Sequence, residues 1–273
     1  MSNHFVETSN NVLTIQTIQT GTFRTLLTAL KDIMLETNIT FQADGIRIIN
    51  MDKSHTILVH LHLLSDKFEL YECKKEKIII GVNMIHLFKL INSIENNEIL
   101  TIYIENCDYM DGVVSKLSLK FENGNIKQSS VHKLSLIEPD SDDIEYPDVS
   151  FSSIITLPST DFQKIIRKMS GISDKIEIKS VGKELIFKCT GKFATTEIKR
   201  SESEGGMSLD DKNKNNPCKI TQGIFSLKNL GYFIKCTNLC THIKLFLEND
   251  LPLVIAYPVA SLGDLHLCVS STS

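Results

Sequence analysis

The sequence reads as an α+β protein built from two similar halves, and three observations carry that reading. Short runs that are rich in β-branched residues or alternate in polarity recur through the whole chain, as half-buried strands do. Four short segments place apolar residues at i, i+3, i+4 and i+7, the stripe of a surface helix. The pattern also repeats: Thr22–Leu30 recurs in type as Asp161–Met169, and Leu87–Asn106 recurs as Leu230–Asn249. In the second repeat Leu90, Ile91, Ile102, Ile104, Glu105 and Asn106 fall on Phe233, Ile234, Leu245, Leu247, Glu248 and Asn249 without a gap.

The elements follow in order. The first half is expected to hold strands at Val12–Thr17, Ile39–Gln42, Gly45–Asn50, Thr56–Leu64, Ile99–Glu105, Leu117–Glu122 and Val131–Leu136. The second half has Ser152–Leu157, Lys175–Ser180, Glu184–Thr190, Thr195–Ser201, Lys219–Ile224, His242–Glu248 and Leu253–Tyr257. Asp44-Gly45, Asn123-Gly124 and Gly182-Lys183 are hairpin-turn pairs, because Gly and Asn accept the positive φ that tight turns need. The first helix is expected from about Thr22 to Leu35, burying Phe23, Leu26, Leu27, Leu30, Ile33 and Met34. The second starts near Asn83, a plausible N-cap, since its side-chain oxygen can accept from the open amides of the first turn. The third follows Pro158-Ser159-Thr160 and buries Phe162, Ile165, Ile166 and Met169; the fourth follows Ser226 and buries Leu227, Leu230, Phe233 and Ile234.

A chain of 273 residues with this repeat divides into two domains, each large enough for its own core. Residues 137–150 hold acids, two prolines and no base, so they are expected as an extended linker between domains 1–136 and 151–273. Residues 201–217 are polar and glycine-containing and read as a mobile loop. No apolar run approaches the roughly 20 residues of a membrane span, and the first residues show neither a basic nor an apolar signal region. Seven scattered cysteines are no disulfide framework and fit a reducing compartment.

The net charge is −4, so a nucleic-acid partner would have to be met by local positive charge. The outer faces of the four helices supply it: Arg24 and Lys31, Lys89, then Lys164, Arg167 and Lys168, then Lys228 and Lys235. On one helix such residues are ordinarily a solvated face. Their recurrence on four related helices points instead to weak, sequence-independent phosphate contacts. No phosphate-binding loop, nucleophile elbow or zinc-protease helix is present. Cys236, Cys240 and His242 lack a second ligand pair at zinc-finger spacing, and His60 and His62 share one strand face without an evident partner ligand. No metal, cofactor or catalytic site is expected.

Several segments carry a resemblance. Leu30-Lys31-Asp32, Met51-Asp52-Lys53-Ser54-His55, Tyr71-x-Cys73, Gly81-Val82-Asn83, Leu157-Pro158-Ser159-x-x-Phe162 and Leu251-Pro252-Leu253-Val254-x-x-Tyr257 stand in the order and spacing of the proliferating cell nuclear antigen (PCNA) family. The chain resembles these eukaryotic and archaeal-type DNA sliding clamps from about residue 12 to 268. The resemblance implies the DNA clamp fold: two domains, each of two β-α-β-β-β units, with sheets outside and helices lining the pore of a homotrimeric ring.

The same resemblance implies site residues. Pore bases fall on Arg24, Lys31, Lys89, Lys164, Arg167, Lys228 and Lys235, while Asn92 stands where the family is usually basic. A partner-peptide groove falls on Met51, His55, Thr56, Leu58, Ile144, Tyr146 and Pro252. A subunit interface falls on the strand around Val131, His132 and Leu134 and the strand around Thr195, Glu197 and Ile198. The implied partners are duplex DNA, further copies of the chain, a DNA polymerase, an ATP-dependent clamp loader and replication and repair factors with docking peptides. There is no membrane partner, and the implied location is the nucleus or a viral replication site. The C-terminus Leu267–Ser273 lacks the family's aromatic and Ala-Pro ending, and Tyr146 replaces a smaller aliphatic residue. Both departures fit a divergent, viral type of clamp. Rival readings are a subunit of a hetero-trimeric checkpoint clamp and a monomeric viral processivity factor.

Overall fold

The computed structural model describes residues 10–95, 97–140, 144, 149–211 and 220–272. The chain divides into two compact units. The first comprises Met1–Asn50, Leu61–Ile144 and Ser261–Gly263, and the second Met51–His60, Glu145–Ala260 and Asp264–Ser273. Two short segments depart from chain order in this division, and hydrogen bonds show why. Thr56 accepts from the Ser270 amide at 3.0 Å and from the Asn229 side chain at 3.1 Å, which ties Met51–His60 to the second unit. Leu262 accepts from the Leu64 amide at 2.8 Å, and Ser261 meets the Gln19 side chain at 3.0 Å, which ties Ser261–Gly263 to the first.

In chain order the first half contains β1 (Asn11–Thr17), α1 (Thr20–Ile33), β2 (Glu36–Gln42), β3 (Gly45–Met51), β4 (Ile57–Leu64), β5 (Leu70–Cys73) and β6 (Lys77–Asn83). Then come α2 (Met84–Ile91), β7 (Ile99–Glu105), β8 (Tyr109–Met110), β9 (Val113–Val114), β10 (Lys116–Asn123) and β11 (Gln128–Ser135). One sheet runs β11-β10-β7-β1-β5, and β4, β3, β2 and β6 are successive neighbours in another. α1 and α2 pack against each other. Phe23, Leu26, Leu27 and Leu30 of α1 and Leu87 and Ile91 of α2 enclose the core with Phe41, Ile48, Leu61, Leu63, Ile102 and Leu117. Strand alternation delivers those core residues, because successive side chains face opposite sides.

The second half repeats the plan. It holds β12 (Ser153–Pro158), α3 (Ser159–Ser170), β13 (Lys175–Val181), β14 (Glu184–Thr190), β15 (Thr195–Ser201) and β16 (Ser208–Asp211). β17 (Ile220–Ser226), α4 (Leu227–Phe233), β18 (His242–Leu247), β19 (Leu253–Val259) and β20 (Gly263–Val269) complete it. One sheet runs β15-β14-β13-β17, and β16, β12, β18, β19 and β20 are successive neighbours in another. α3 packs on α4, with Phe162, Ile165, Ile166, Met169, Leu230 and Phe233 buried. No helix among the described residues is long and apolar enough to cross a membrane.

Side chains cap two of the four helix starts, at Asn83 and Ser226, while the cap-like segment Pro158-Ser159-Thr160 gives α3 no side-chain cap. Asn83 accepts from the amides of Ile85 and His86, and Ser226 accepts from that of Asn229. α1 and α3 have no side-chain cap, so their stability comes from the buried stripe, as is usual for short helices. β5, β6, β8, β9, β16 and β20 appear where no strand was expected. The expected mobile loop at 201–217 is corrected over its first part. β16 pairs with β12, and the buried side chain of Met207 anchors the turn before it. A backbone ladder needs no apolar side chains of its own, so a polar segment beside an anchored neighbour can still be a strand. Residues 212–219 lie outside the described set.

The start of the expected linker is held as well. The Ile137 amide donates to the Gly81 carbonyl at 3.0 Å, and the Asn38 side chain bonds both the Asp140 amide and its carbonyl. This run lies along the outer edge of β6. Only glycine permits the approach, because a Cβ on Gly81 would stand 2.6 Å from the Ile137 carbonyl oxygen.

Candidate functional site

Three surfaces carry the candidate residues: the outer helix faces, two open strand edges and an apolar cleft. The helix faces differ between the halves. On α3 the buried stripe leaves Lys164, Arg167 and Lys168 exposed on the other side, and Lys228 of α4 and Lys235 just after it are exposed too. Asp161 is the acid of that surface. It is engaged by Arg200 at 3.2 Å, while Lys164 stands 4.0 Å away. Lys235 sits over the Tyr232 ring at 5.5 Å. On α1 both bases are half-buried. Arg24 donates through Nη2 to the Ile94 carbonyl after α2. Lys31 pairs with Asp32 at 2.8 Å and lies 4.9 Å from the Phe88 ring centre. Lys89 is exposed.

Among the described residues β11 and β15 are each the terminal strand of their sheet, with one side of the ladder open. β11 pairs with β10 along its whole length, Lys116 opposite Ser135 through Asn123 opposite Gln128. β15 pairs with β14 from Glu184 opposite Ser201 to Thr190 opposite Thr195. Val131 is exposed, His132 is half-buried against the Phe121 ring at 4.9 Å, and Leu134 is buried. Thr195 and Glu197 are exposed and Ile198 is half-buried. A long unpaired edge invites another strand unless something covers it.

The apolar cleft lies in the second unit and encloses about 310 Å³. Met51, Thr56 and Leu58 form one wall, with Val149 and Phe151; Leu251, Pro252, Val254, Cys268 and Ser270 complete it. The Asn50–His55 connection that shapes one wall is a turn built around Asp52. Its carboxylate accepts from the amides of Ser54, Thr56 and Ile57 and from the Ser54 hydroxyl. Burial pushes the Asp52 carboxyl up, but the hydrogen bonds from Ser54, Ile57 and Thr56 outweigh it and hold the group below its ordinary value. His55 has φ 52°, a left-handed turn residue. The cleft is small, concave and largely apolar, which suits one or two apolar side chains of a short peptide.

Titratable groups also cluster elsewhere. Cys236 is buried and its thiol is pushed up by burial; Cys240 is pushed up to about 11 by burial as well. His60 lies edge-on to His266 at 5.7 Å, and His62 Nε2 is 3.7 Å from the Asp44 carboxylate. Among the described residues Glu105, Cys107 and Asp108 are close enough to share an ion. The Glu105 carboxylate, however, already accepts from Lys133 at 2.9 Å.

The family model described as proliferating cell nuclear antigen, N-terminal domain, matches residues 12–143, and the one described as its C-terminal domain matches residues 145–271. The chain belongs to the proliferating cell nuclear antigen family. Its α+β halves are the two clamp domains of that family. A protein of Paramecium bursaria Chlorella virus 1 named "Probable DNA polymerase sliding clamp 1" is 31% identical over 270 residues, 97% of this chain and 98% of the relative. "Probable DNA polymerase sliding clamp" of Acanthamoeba polyphaga mimivirus is 31% identical over 232 residues, 83% of this chain and 47% of that longer protein.

Of the PCNA-type groove residues, Met51, Thr56, Leu58 and Pro252 line the cleft, while His55 belongs to the turn beside it. Ile144 is not among the lining residues, and Tyr146 lies outside the described residues. Sequence reasoning missed Val149, Phe151, Leu251, Val254, Cys268 and Ser270. Leu251 and Val254 stand in the distinctive Leu-Pro-Leu-Val segment and could have been found there. Cys268 and Ser270 follow from β20, whose alternation of buried Leu265, Leu267 and Val269 is a strand signal that was present but unread.

Proposed function

We propose that this chain is a DNA sliding clamp and polymerase processivity factor, a member of the PCNA family that encircles duplex DNA as a homotrimer. The observation that supports it most is the repeated pair of packed helices with basic outer faces, in a chain matched over nearly its whole length by a viral sliding-clamp relative. The bases would meet phosphates without reading base edges, so the hold is topological and the ring remains free to slide. The exposed strand of β11 would pair with β15 of the next copy, which covers both open edges and closes a head-to-tail ring. Polymerase and other replication or repair factors would dock short peptides in the apolar cleft. Tethering raises their effective concentration at DNA. The role is non-catalytic: the family works as a processivity factor, and an ATP-driven loader opens the ring. It acts where DNA is replicated, in the nucleus or at a viral replication site.

The test is native mass together with topology. A particle of about three times 30.7 kDa is expected, retained on nicked circular DNA and lost when the circle is cut. A stable monomer, or equal retention on short linear DNA, would overturn the reading.

A further inference from the structure

We propose that the turn bearing Phe193 of one copy docks on the β8–β9 hairpin of the next copy and clasps one end of the β11–β15 junction. This rests on the ring reading above and adds a residue contact that the reading does not contain. Phe193 is 77% exposed on the β14–β15 turn, a high exposure for an aromatic side chain. Exposed apolar side chains mark contact sites when they are grouped, and aromatic side chains are common anchors there. Phe193 stands two residues before the open strand β15.

Two apolar tips flank the open strand β11. At its N-terminal end the β10–β11 turn exposes Ile126 at 62%. At its C-terminal end the β8–β9 hairpin exposes Met110 at 72% and Val113 at 65%. That hairpin turns at Asp111 and Gly112, both with positive φ, and its base is held beside β11. Ser115 donates to the Asp108 carbonyl at 2.9 Å, Leu136 donates to the Ser115 carbonyl at 3.1 Å, and Lys133 bonds Glu105.

Strand direction decides which tip Phe193 reaches. Antiparallel pairing of β15 with β11 carries the β14–β15 turn to the β8–β9 hairpin, and parallel pairing carries it to the Ile126 turn. Charge selects between them. The Phe193 turn bears exposed Lys192, the hairpin bears exposed Asp111, and the Ile126 turn bears exposed Lys127. Opposite charges meet in the antiparallel arrangement and like charges in the parallel one, which costs stability when the groups face each other. Antiparallel pairing is also the more stable ladder. The clasp therefore joins Phe193 to Met110 and Val113, with Lys192 beside Asp111.

The experiment uses the full chain. Phe193→Ser is expected to raise the subunit dissociation constant at least about tenfold, as loss of an interface anchor does, with unchanged thermal unfolding of the monomer. Asp111→Lys is expected to weaken assembly and Asp111→Lys with Lys192→Asp to restore it. In a Cys107→Ser background, Val113→Cys with Phe193→Cys should give oxidant-dependent covalent multimers, and Ile126→Cys with Phe193→Cys should not. If the parent chain forms its trimer but Phe193→Ser dissociates no more readily, or the cross-link forms at residue 126, the clasp is wrong and the ring reading stands. A parent chain that never assembles overturns both.

Discussion

The helix pairs of the two halves share a pattern and use their basic residues differently. On α3 and around α4, Lys164, Arg167, Lys168, Lys228 and Lys235 stand exposed. On α1, Arg24 is turned inward to the Ile94 carbonyl and Lys31 is folded onto Asp32 and Phe88. A half-buried arginine that satisfies a loop carbonyl is part of the scaffold first. The comparison teaches that a helical stripe of bases does not by itself say how many of them reach a ligand: the second half presents most of the exposed charge and the first half mainly Lys89.

The largest test of that difference is on DNA binding. Replacing Lys164, Arg167, Lys168 and Lys228 with Ala should reduce affinity for duplex DNA strongly and flatten its salt dependence, by about 0.9 in log–log slope for each phosphate no longer neutralised. Replacing Arg24 and Lys31 should change the slope much less; salt titrations of the two variants that give equal slopes would break the comparison. Next in size, Leu58→Glu in the cleft places a charge among apolar walls and should weaken a docking peptide at least about tenfold, since an unpaired buried charge is costly. Fluorescence anisotropy of a labelled peptide reads this, and native mass should not change.

Arg24→Ala should cost roughly 1–2 kcal/mol of stability by leaving the Ile94 carbonyl without its charged donor, measured by denaturant unfolding, with little effect on DNA. Asp52→Ala should cost about 1 kcal/mol through the missing turn hydrogen bonds. The sign with pH is defined. The folded Asp52 carboxyl is held below its ordinary value, so its contribution is complete above the ordinary carboxylate range and is lost as pH falls through the lowered value. The stability difference between parent and Asp52→Ala should therefore shrink on acidification; a difference that grows as pH falls through the carboxylate range would contradict the Asp52 turn. The smallest effect is expected for Lys31→Ala, within about 1 kcal/mol, because a partly solvated ion pair contributes little.

Much of the fold was legible in the sequence because burial imposes periodicity. The stripes Phe23–Leu30 and Phe162–Met169 had to face a core, and Asn83 and Ser226 could serve as caps wherever a helix began. The strands that went unread lacked such a signal or were passed over. β16 is polar and exists because β12 offers a ladder and Met207 an anchor. The candidate site was legible in part for the same reason. Met51 and Pro252 lie in distinctive segments, but their meeting with Leu58, Phe151 and Cys268 joins distant stretches of chain.

The sequence by itself determined the duplicated α+β plan, the helix faces and the family. Local patterning encodes these, since which residues share a face depends only on spacing along the chain. Only the tertiary structure decided which bases are exposed and which are held, that Met51–His60 belongs with the second unit, and that Phe193 and the Met110–Val113 hairpin are exposed beside strands left open among the described residues. Those outcomes depend on which distant groups compete for each side chain and each strand edge, and spacing along one stretch of chain carries no record of that competition.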